Sequence, residues 1–221
     1  MSASLPVLYA AQGCGSMLVE MALDWVGQPF VRVGMTWDEV RARANAELAR
    51  LNPLYQIPTL HWPDGLVQTE SAAIVLWLDE QHPTAGLLPP RGSAERWRAL
   101  RALMFLNTAL YPTFSYADFP ERYLPDPAAQ AQLVAGVEAR RIWLWEQFAA
   151  ELCGPASTAR TGPWYAGDTA CIVDGYIAVM SRWHPRRAYF AEHLPQLHAI
   201  AVAADSHPVM QLARLRNFPP H

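Results

Sequence analysis

QIPTLHWPDGLVQTESAAIVLWLDE, residues Gln56 to Glu80, is the stretch on which the fold turns. A short apolar run meets proline at Ile57-Pro58-Thr59-Leu60, and a turn follows at Pro63-Asp64-Gly65. A second short run, Leu66-Val67-Gln68, leads into Glu70-Ser71 and then into a helix-like apolar pattern. That order sets an acidic residue and a hydroxyl at a helix N-terminus, where unpaired backbone N–H groups attract a carboxylate. Such a site suits a small zwitterion carrying both an amine and a carboxylate.

Working outward, strand and helix signals alternate through the first eighty residues. Leu5 to Tyr9 is a short apolar run that reads as a buried strand. Past the Gln12-Gly13-Cys14-Gly15 turn, Met17, Leu18, Met21, Ala22 and Trp25 draw one helical face. Gly27-Gln28-Pro29 ends that helix, and Phe30 to Val33 alternates like a strand. Asp38 to Leu51 reads as one helix closing before Asn52-Pro53. The predicted order is β-α-β-α-β-β-α, a mixed sheet covered by helices.

The segment from His82 to Gly92 contains three prolines and two glycines and reads as a linker. Beyond it the pattern is helical only: Ala94 to Ala109, Pro127 to Leu152, a strongly apolar Ile172 to Trp183, and Pro195 to Arg216. A Gly/Pro/Ser/Thr-rich loop is expected over Gly154 to Gly162. The expected domains are 1–82 (α/β), a linker 83–93, and an all-helical 94–221.

Composition excludes several classes. The chain has 221 residues, 52% hydrophobic and 17% charged, which describes a folded globular protein and not a disordered one. A net charge of −3 gives no electrostatic case for nucleic acid or an anionic membrane. No apolar run is long enough for a transmembrane helix, and no signal-peptide pattern opens the chain. Cys14, Cys153 and Cys171 are too few and too scattered for a disulfide framework or a zinc site. His193 and His198 lie five apart, not the four that puts two ligands on one helical face, and no metal is expected. A reducing cytosol is the expected compartment.

Taken in order, these motifs resemble the soluble glutathione S-transferases, with a thioredoxin-like N-terminal domain and a helical-bundle C-terminal domain. Ile57-Pro58 resembles the family's cis-proline loop, and Glu70-Ser71-Ala72-Ala73-Ile74 resembles its glutathione-binding signature. Trp164 to Asp174 resembles the capping region of its helical domain, with Cys171 where a Ser or Thr is usual and Thr169 as a possible cap one turn earlier. The resemblance implies that the Ile57 backbone, before Pro58, pairs with the cysteinyl part of glutathione. It implies that Ser71 binds the γ-glutamyl carboxylate and Glu70 the amino group. The plainer reading of Glu70-Ser71 is a helix cap.

The resemblance also implies a thiol-activating side chain near the start of the first helix, and three candidates stand there: Cys14, Ser16 and Tyr9. A hydroxyl donor would stabilise the glutathione thiolate, whereas a cysteine thiolate would open disulfide exchange. Cys14 is spaced one residue differently from the cysteine of beta-class members, and Glu20 stands where many serine-type, zeta-like members carry arginine. The class among beta-, omega- and zeta-like members therefore stays open. Tyr111, Phe114 and Tyr116, with Phe119, form an aromatic cluster broken by Pro112 and Pro120 that reads as a pocket for a hydrophobic electrophile. Trp183-His184 is placed to cover the same cleft.

The activity implied is a glutathione transferase with glutathione as co-substrate, an unidentified electrophile as second substrate, and a homodimer across the face of Ala72 to Asp79. Two alternatives are a glutaredoxin-like thiol transferase acting through Cys14, and a non-catalytic binding protein of the same fold.

Overall fold

The computed structural model describes residues 4–153 and 162–219. Its first part is a four-stranded mixed sheet in the order β2-β1-β3-β4, built from β1 (Val7–Ala11), β2 (Val31–Met35), β3 (Thr59–His61) and β4 (Val67–Thr69). β1 and β2 run parallel with Val7 opposite Val31, as the crossover through α1 (Met17–Trp25) requires. β3 is antiparallel to β1 and to β4, with Tyr9 opposite Thr59 and Thr59 opposite Thr69. This is the predicted element order, and with α4 (Ser71–Gln81) closing it the sheet is thioredoxin-like.

β1 is buried on both faces. Leu8 and Ala10 enter the main core, while Tyr9 and Ala11 enter a second cluster with Cys14, Met35, Val40, Leu48 and Tyr55. Alternation along the strand sends successive side chains to opposite faces, so both clusters hang on one strand.

The helix predicted over 38–51 is two helices, α2 (Trp37–Ala42) and α3 (Ala46–Leu51). Arg43 adopts a left-handed conformation at φ 51, and the Asn45 side chain accepts from the Leu48 amide to start α3 afresh. Both local events outweigh the apolar periodicity that joined the two segments on paper.

Residues 82–93 form no helix or strand, and the stretch is pinned to the core. Leu87 and Leu88 are buried, and Asp79 accepts from the Leu88 amide at 3.2 Å and from the Arg96 guanidinium at 2.6 Å. The helical part follows with α5 (Ala94–Phe105), α6 (Tyr111–Asp118), α7 (Pro127–Cys153), α8 (Ile172–Met180), α9 (Arg186–His193), α10 (Pro195–Ser206) and α11 (Met210–Asn217). α8 is buried along its whole length, and α10, α1 and α5 pack around it. The main core is continuous from Leu8 and Leu18 through Leu103 to Trp145 and Ile177. No helix among the described residues is long and apolar enough to cross a membrane.

Two helix boundaries differ from the sequence expectation. The stretch expected to be helical over 195–216 is two helices, parted at His207-Pro208, where proline disfavours the helical conformation of the residue before it and His207 is extended at φ −67, ψ 132. The helix from Ala94 does not stop ahead of Pro112. It passes through a π-helical turn, Leu106–Leu110, straight into α6. The Tyr111 amide reaches back five residues to the Leu106 carbonyl, which widens the turn where the ring of Pro112 would clash with a regular helix. Asn107 and Thr108 serve the preceding turn, donating to the Leu103 and Met104 carbonyls at 3.0 and 2.8 Å. Most of the loop expected over 154–162 lies outside the described residues.

Candidate functional site

A cleft of about 810 Å³ lies between the sheet and the helical part. Its sheet-side wall begins at the loop before β3. Ile57-Pro58 is a cis peptide, and the Gln56 carbonyl ahead of it accepts from Asn52 Nδ2 at 3.1 Å and from Thr59 Oγ1 at 2.8 Å. The loop is thus held from behind, leaving Ile57 and Pro58 on the cleft.

Beside it stands the N-terminus of α4. Glu70 occupies φ 63, ψ 104, a left-handed conformation uncommon for any residue but glycine. Its side chain is exposed and does not cap the helix, so among the described residues the first-turn amides of α4 have no side-chain acceptor. The Ser71 hydroxyl donates to Asn107 Oδ1 at 2.9 Å, an atom that Tyr176 Oη also approaches at 3.4 Å. The π turn therefore sends an amide across to the helix that faces it.

The opposite wall is the π turn and α6. Tyr111 and Phe114 meet edge to face and both lie edge-on to Trp183, whose Nε1 donates to the Gly13 carbonyl at 2.7 Å. Trp183 packs behind the aromatic wall and does not line the cleft; His184 turns to Arg141 instead. Tyr116 stands edge-on to Tyr123 toward the mouth. Phe119 lies beneath the guanidiniums of Arg122 and Arg41, 3.9 and 4.8 Å from its ring centre. With Arg43, three cations border this mouth.

The three candidates for thiol activation sit elsewhere. Tyr9 points into the second core cluster from mid-strand. Cys14 is 3% exposed, its Sγ is 3.3 Å from the Ala11 carbonyl and 3.1 Å from Ser16 Oγ, and burial pushes its thiol up. Ser16 is fully buried and its hydroxyl is spent on that same Ala11 carbonyl at 3.2 Å. None of the three lines the cleft; the residue of this loop that does is Gly15.

The loop is fixed from the far end of the chain. Asn217 accepts from the Gly13 amide at 3.0 Å through Oδ1 and donates to Glu20 at 3.0 Å through Nδ2, while its carbonyl accepts from Gln12 at 3.1 Å. Glu20 is fully buried and paired to Arg32 and Arg216. The acid that departs from the serine-type pattern thus ties α1 to β2 and α11. At the start of α8, the N-cap is Cys171, and Asp174 accepts from the amides of Cys171 and Tyr165, each at 2.8 Å.

Asn107 and Gly15 were not among the sequence candidates. Asn107 is hidden because a 3.6-residue period contains no signal for a π turn. Gly15 had a visible signal, its place immediately ahead of α1, but a residue without a side chain attracts no chemical role.

A cis-proline loop and an uncapped helix N-terminus on one side of a cleft, with aromatic helices on the other, define a thioredoxin-fold protein with a joined helical part. The family model described as the N-terminal domain of glutathione S-transferase matches residues 15–81. The GST-like protein YncG of Escherichia coli K12, itself described as uncharacterized, is 33% identical over 213 residues, covering 95% of this chain and 97% of that one. The glutathione S-transferase GstA of Escherichia coli O157:H7 is 26% identical over 80% of this chain and 81% of its own. The structure of a sphingomonad glutathione S-transferase complexed with glutathione superposes with a TM-score of 0.75 at 26% identity, covering 97% of this chain and 100% of that one. The chain belongs to the glutathione S-transferase family.

Proposed function

We propose that this protein is a glutathione transferase that binds glutathione along the sheet-side wall and delivers its thiolate to a hydrophobic electrophile on the helical wall. The observation that carries the reading is the N-terminus of α4, where Glu70 is held at positive φ, caps nothing, and leaves the first-turn amides to the cleft. A plain cap would place its acceptor over those amides. Here an incoming γ-glutamyl carboxylate takes that place, with the Ser71 hydroxyl beside it and the Glu70 carboxylate accepting from the amino group. The backbone of Ile57, before Pro58, pairs with the cysteinyl unit. The three arginines at the mouth favour a tripeptide with two carboxylates.

In the reaction the glutathione thiol releases its proton to water. The thiolate sulfur then forms a bond to the electrophilic carbon as the leaving group departs with its electron pair; in an addition, a proton is taken up instead. Tyr111, Phe114 and Tyr116 supply the apolar surface for that electrophile. The burial of Cys14 disfavours the thiol-transfer alternative, which needs an accessible thiolate. A homodimer across the α4 face, with detoxification in the cytosol as its setting, completes the proposal. Its support is the half-buried Trp77, tilted against Trp62 with ring centres 5.1 Å apart, and the exposed Trp97 of α5. Size-exclusion chromatography with light scattering tests the dimer.

The test of the binding reading is thermal melting with glutathione. At 100 times its dissociation constant a ligand adds about 2.7 kcal/mol, which for a chain of this size is roughly 5–10 °C. Cysteinylglycine, which lacks the γ-glutamyl group, is expected to give almost none of that shift. Equal shifts from both peptides would refute the assignment of α4.

A further inference from the structure

We propose that Tyr111, a residue of the helical part, donates the hydrogen bond that holds the glutathione thiolate, at the place where Gly15 leaves room for it. The inference rests on the glutathione reading above and adds the group that meets the sulfur.

The geometry begins at Gly15. This glycine is not at positive φ, so its backbone could accept a side chain. Space is what forbids one: a Cβ there would stand 2.8 Å from Tyr111 Cε2 and 2.9 Å from Tyr111 Oη. The phenol from the helical part therefore fills the position that a side chain at 15 would occupy, directly ahead of α1. The phenol oxygen lies against the Gly15 backbone, and both residues line the cleft with Ile57, Pro58 and Ser71.

The hydroxyl is free to act. A phenol oxygen accepts and donates at once. Among the described residues no group accepts the Tyr111 proton. Burial, helped by nearby Cys14, pushes its ionisation far into the alkaline range, so the hydroxyl keeps its proton at working pH. The ring is fixed edge-on to Phe114 and Trp183, and Trp183 is anchored to the Gly13 carbonyl of the same loop. By contrast the Cys14 and Ser16 side chains are turned to each other and to the Ala11 carbonyl. Tyr111 and Gly15 line the cleft with Ile57 whereas Cys14 and Ser16 do not, so a sulfur placed there by the Ile57 backbone has Tyr111 Oη as its donor. No proton changes hands with the tyrosine: the thiol proton goes to water, and the O–H remains a donor to the thiolate that forms.

The experiment is a pH titration of enzyme-bound glutathione, followed by the ultraviolet absorbance of the thiolate, in the full chain and in Tyr111→Phe, Cys14→Ala and Ser16→Ala. Losing one hydrogen bond to a charged acceptor is expected to lower the bound thiolate fraction at neutral pH by about tenfold or more in Tyr111→Phe. Glutathione affinity at acid pH, where the thiol is protonated, should change by less than about twofold. The conjugation rate with an activated chloronitrobenzene should fall with the thiolate fraction. Cys14→Ala and Ser16→Ala should titrate like the parent. An unchanged titration in Tyr111→Phe, or the same loss in Cys14→Ala or Ser16→Ala, overturns the assignment while leaving glutathione binding intact. Failure of the parent protein to bind glutathione overturns the binding reading, and this inference with it.

Discussion

Glu70→Gly should make the protein more stable and a poorer binder of glutathione at the same time. Glu70 sits at φ 63, and a non-glycine residue held in such a region costs on the order of 1–3 kcal/mol. Glycine removes that cost but widens the unfolded ensemble by about 0.4–1 kcal/mol. The net gain is about 1 kcal/mol, or roughly 2–4 °C in melting temperature for a chain of this length. The same change deletes the carboxylate assigned to the glutamyl amine. A hydrogen bond between charged groups contributes about 1.5–3 kcal/mol, and because Glu70 is exposed the lower figure applies, roughly a tenfold loss of affinity. Glu70→Ala separates the two effects, since it loses the carboxylate and keeps a Cβ at positive φ. It should bind as weakly as the glycine variant without melting later. Calorimetric titration with glutathione and scanning calorimetry of the free protein read the two quantities independently. Glycine and alanine variants that bind like the parent would refute the role of Glu70. A glycine variant that melts lower would refute the claim that its backbone is held against preference.

Three further outcomes follow from the buried polar groups. Asp174→Ala strips the acceptor from two buried amides at the start of α8 and should cost roughly 3–5 kcal/mol by urea unfolding; a loss under about 1 kcal/mol would mean those amides find other partners. Asn217→Ala should cost roughly 2–4 kcal/mol and speed hydrogen exchange at the Gly13 amide, because it unties the loop that positions Gly15 from α11. Unchanged exchange at Gly13 would show that the loop is held without it. Burial holds the folded Cys14 thiol above its ordinary value, so as pH rises past about 8.5 the unfolded chain loses a proton that the folded chain keeps. Stability should therefore fall with rising pH in that range, less steeply in Cys14→Ala, and native Cys14 should resist iodoacetamide at pH 8. Rapid native alkylation would show an accessible thiolate and revive disulfide exchange.

The sheet and half of the cleft were legible in the chain because they are written in local chemistry. Ile57-Pro58 and the Pro63-Asp64-Gly65 turn restrict the backbone by residue type, and with Glu70-Ser71 marking a helix start they give the order β3, β4, α4 along the chain. The same reasoning joined α2 to α3, since a left-handed Arg43 has no sequence signature and apolar periodicity ran on through it. Helical periodicity likewise ended at Ala109, ahead of Pro112. The π turn admits that proline and carries the helix past it, and this alone brings Asn107 to Ser71 and Tyr111 to Gly15. Contacts between residues so distant in sequence, Ser71 with Asn107 and Gly15 with Tyr111, made through a register shift, leave no trace in spacing. For that reason the sequence offers as thiol partners only residues near the first turn, Tyr9, Cys14 and Ser16.

The most direct test is a crystal structure of the full chain with glutathione bound. The account predicts the γ-glutamyl carboxylate at the first-turn amides of α4 beside Ser71. It places the sulfur within hydrogen-bonding distance of Tyr111 Oη and next to Gly15, with Cys14 and Ser16 still buried behind the loop. A sulfur bonded or hydrogen-bonded to Cys14 or Ser16, or a tripeptide lying away from α4, would contradict it.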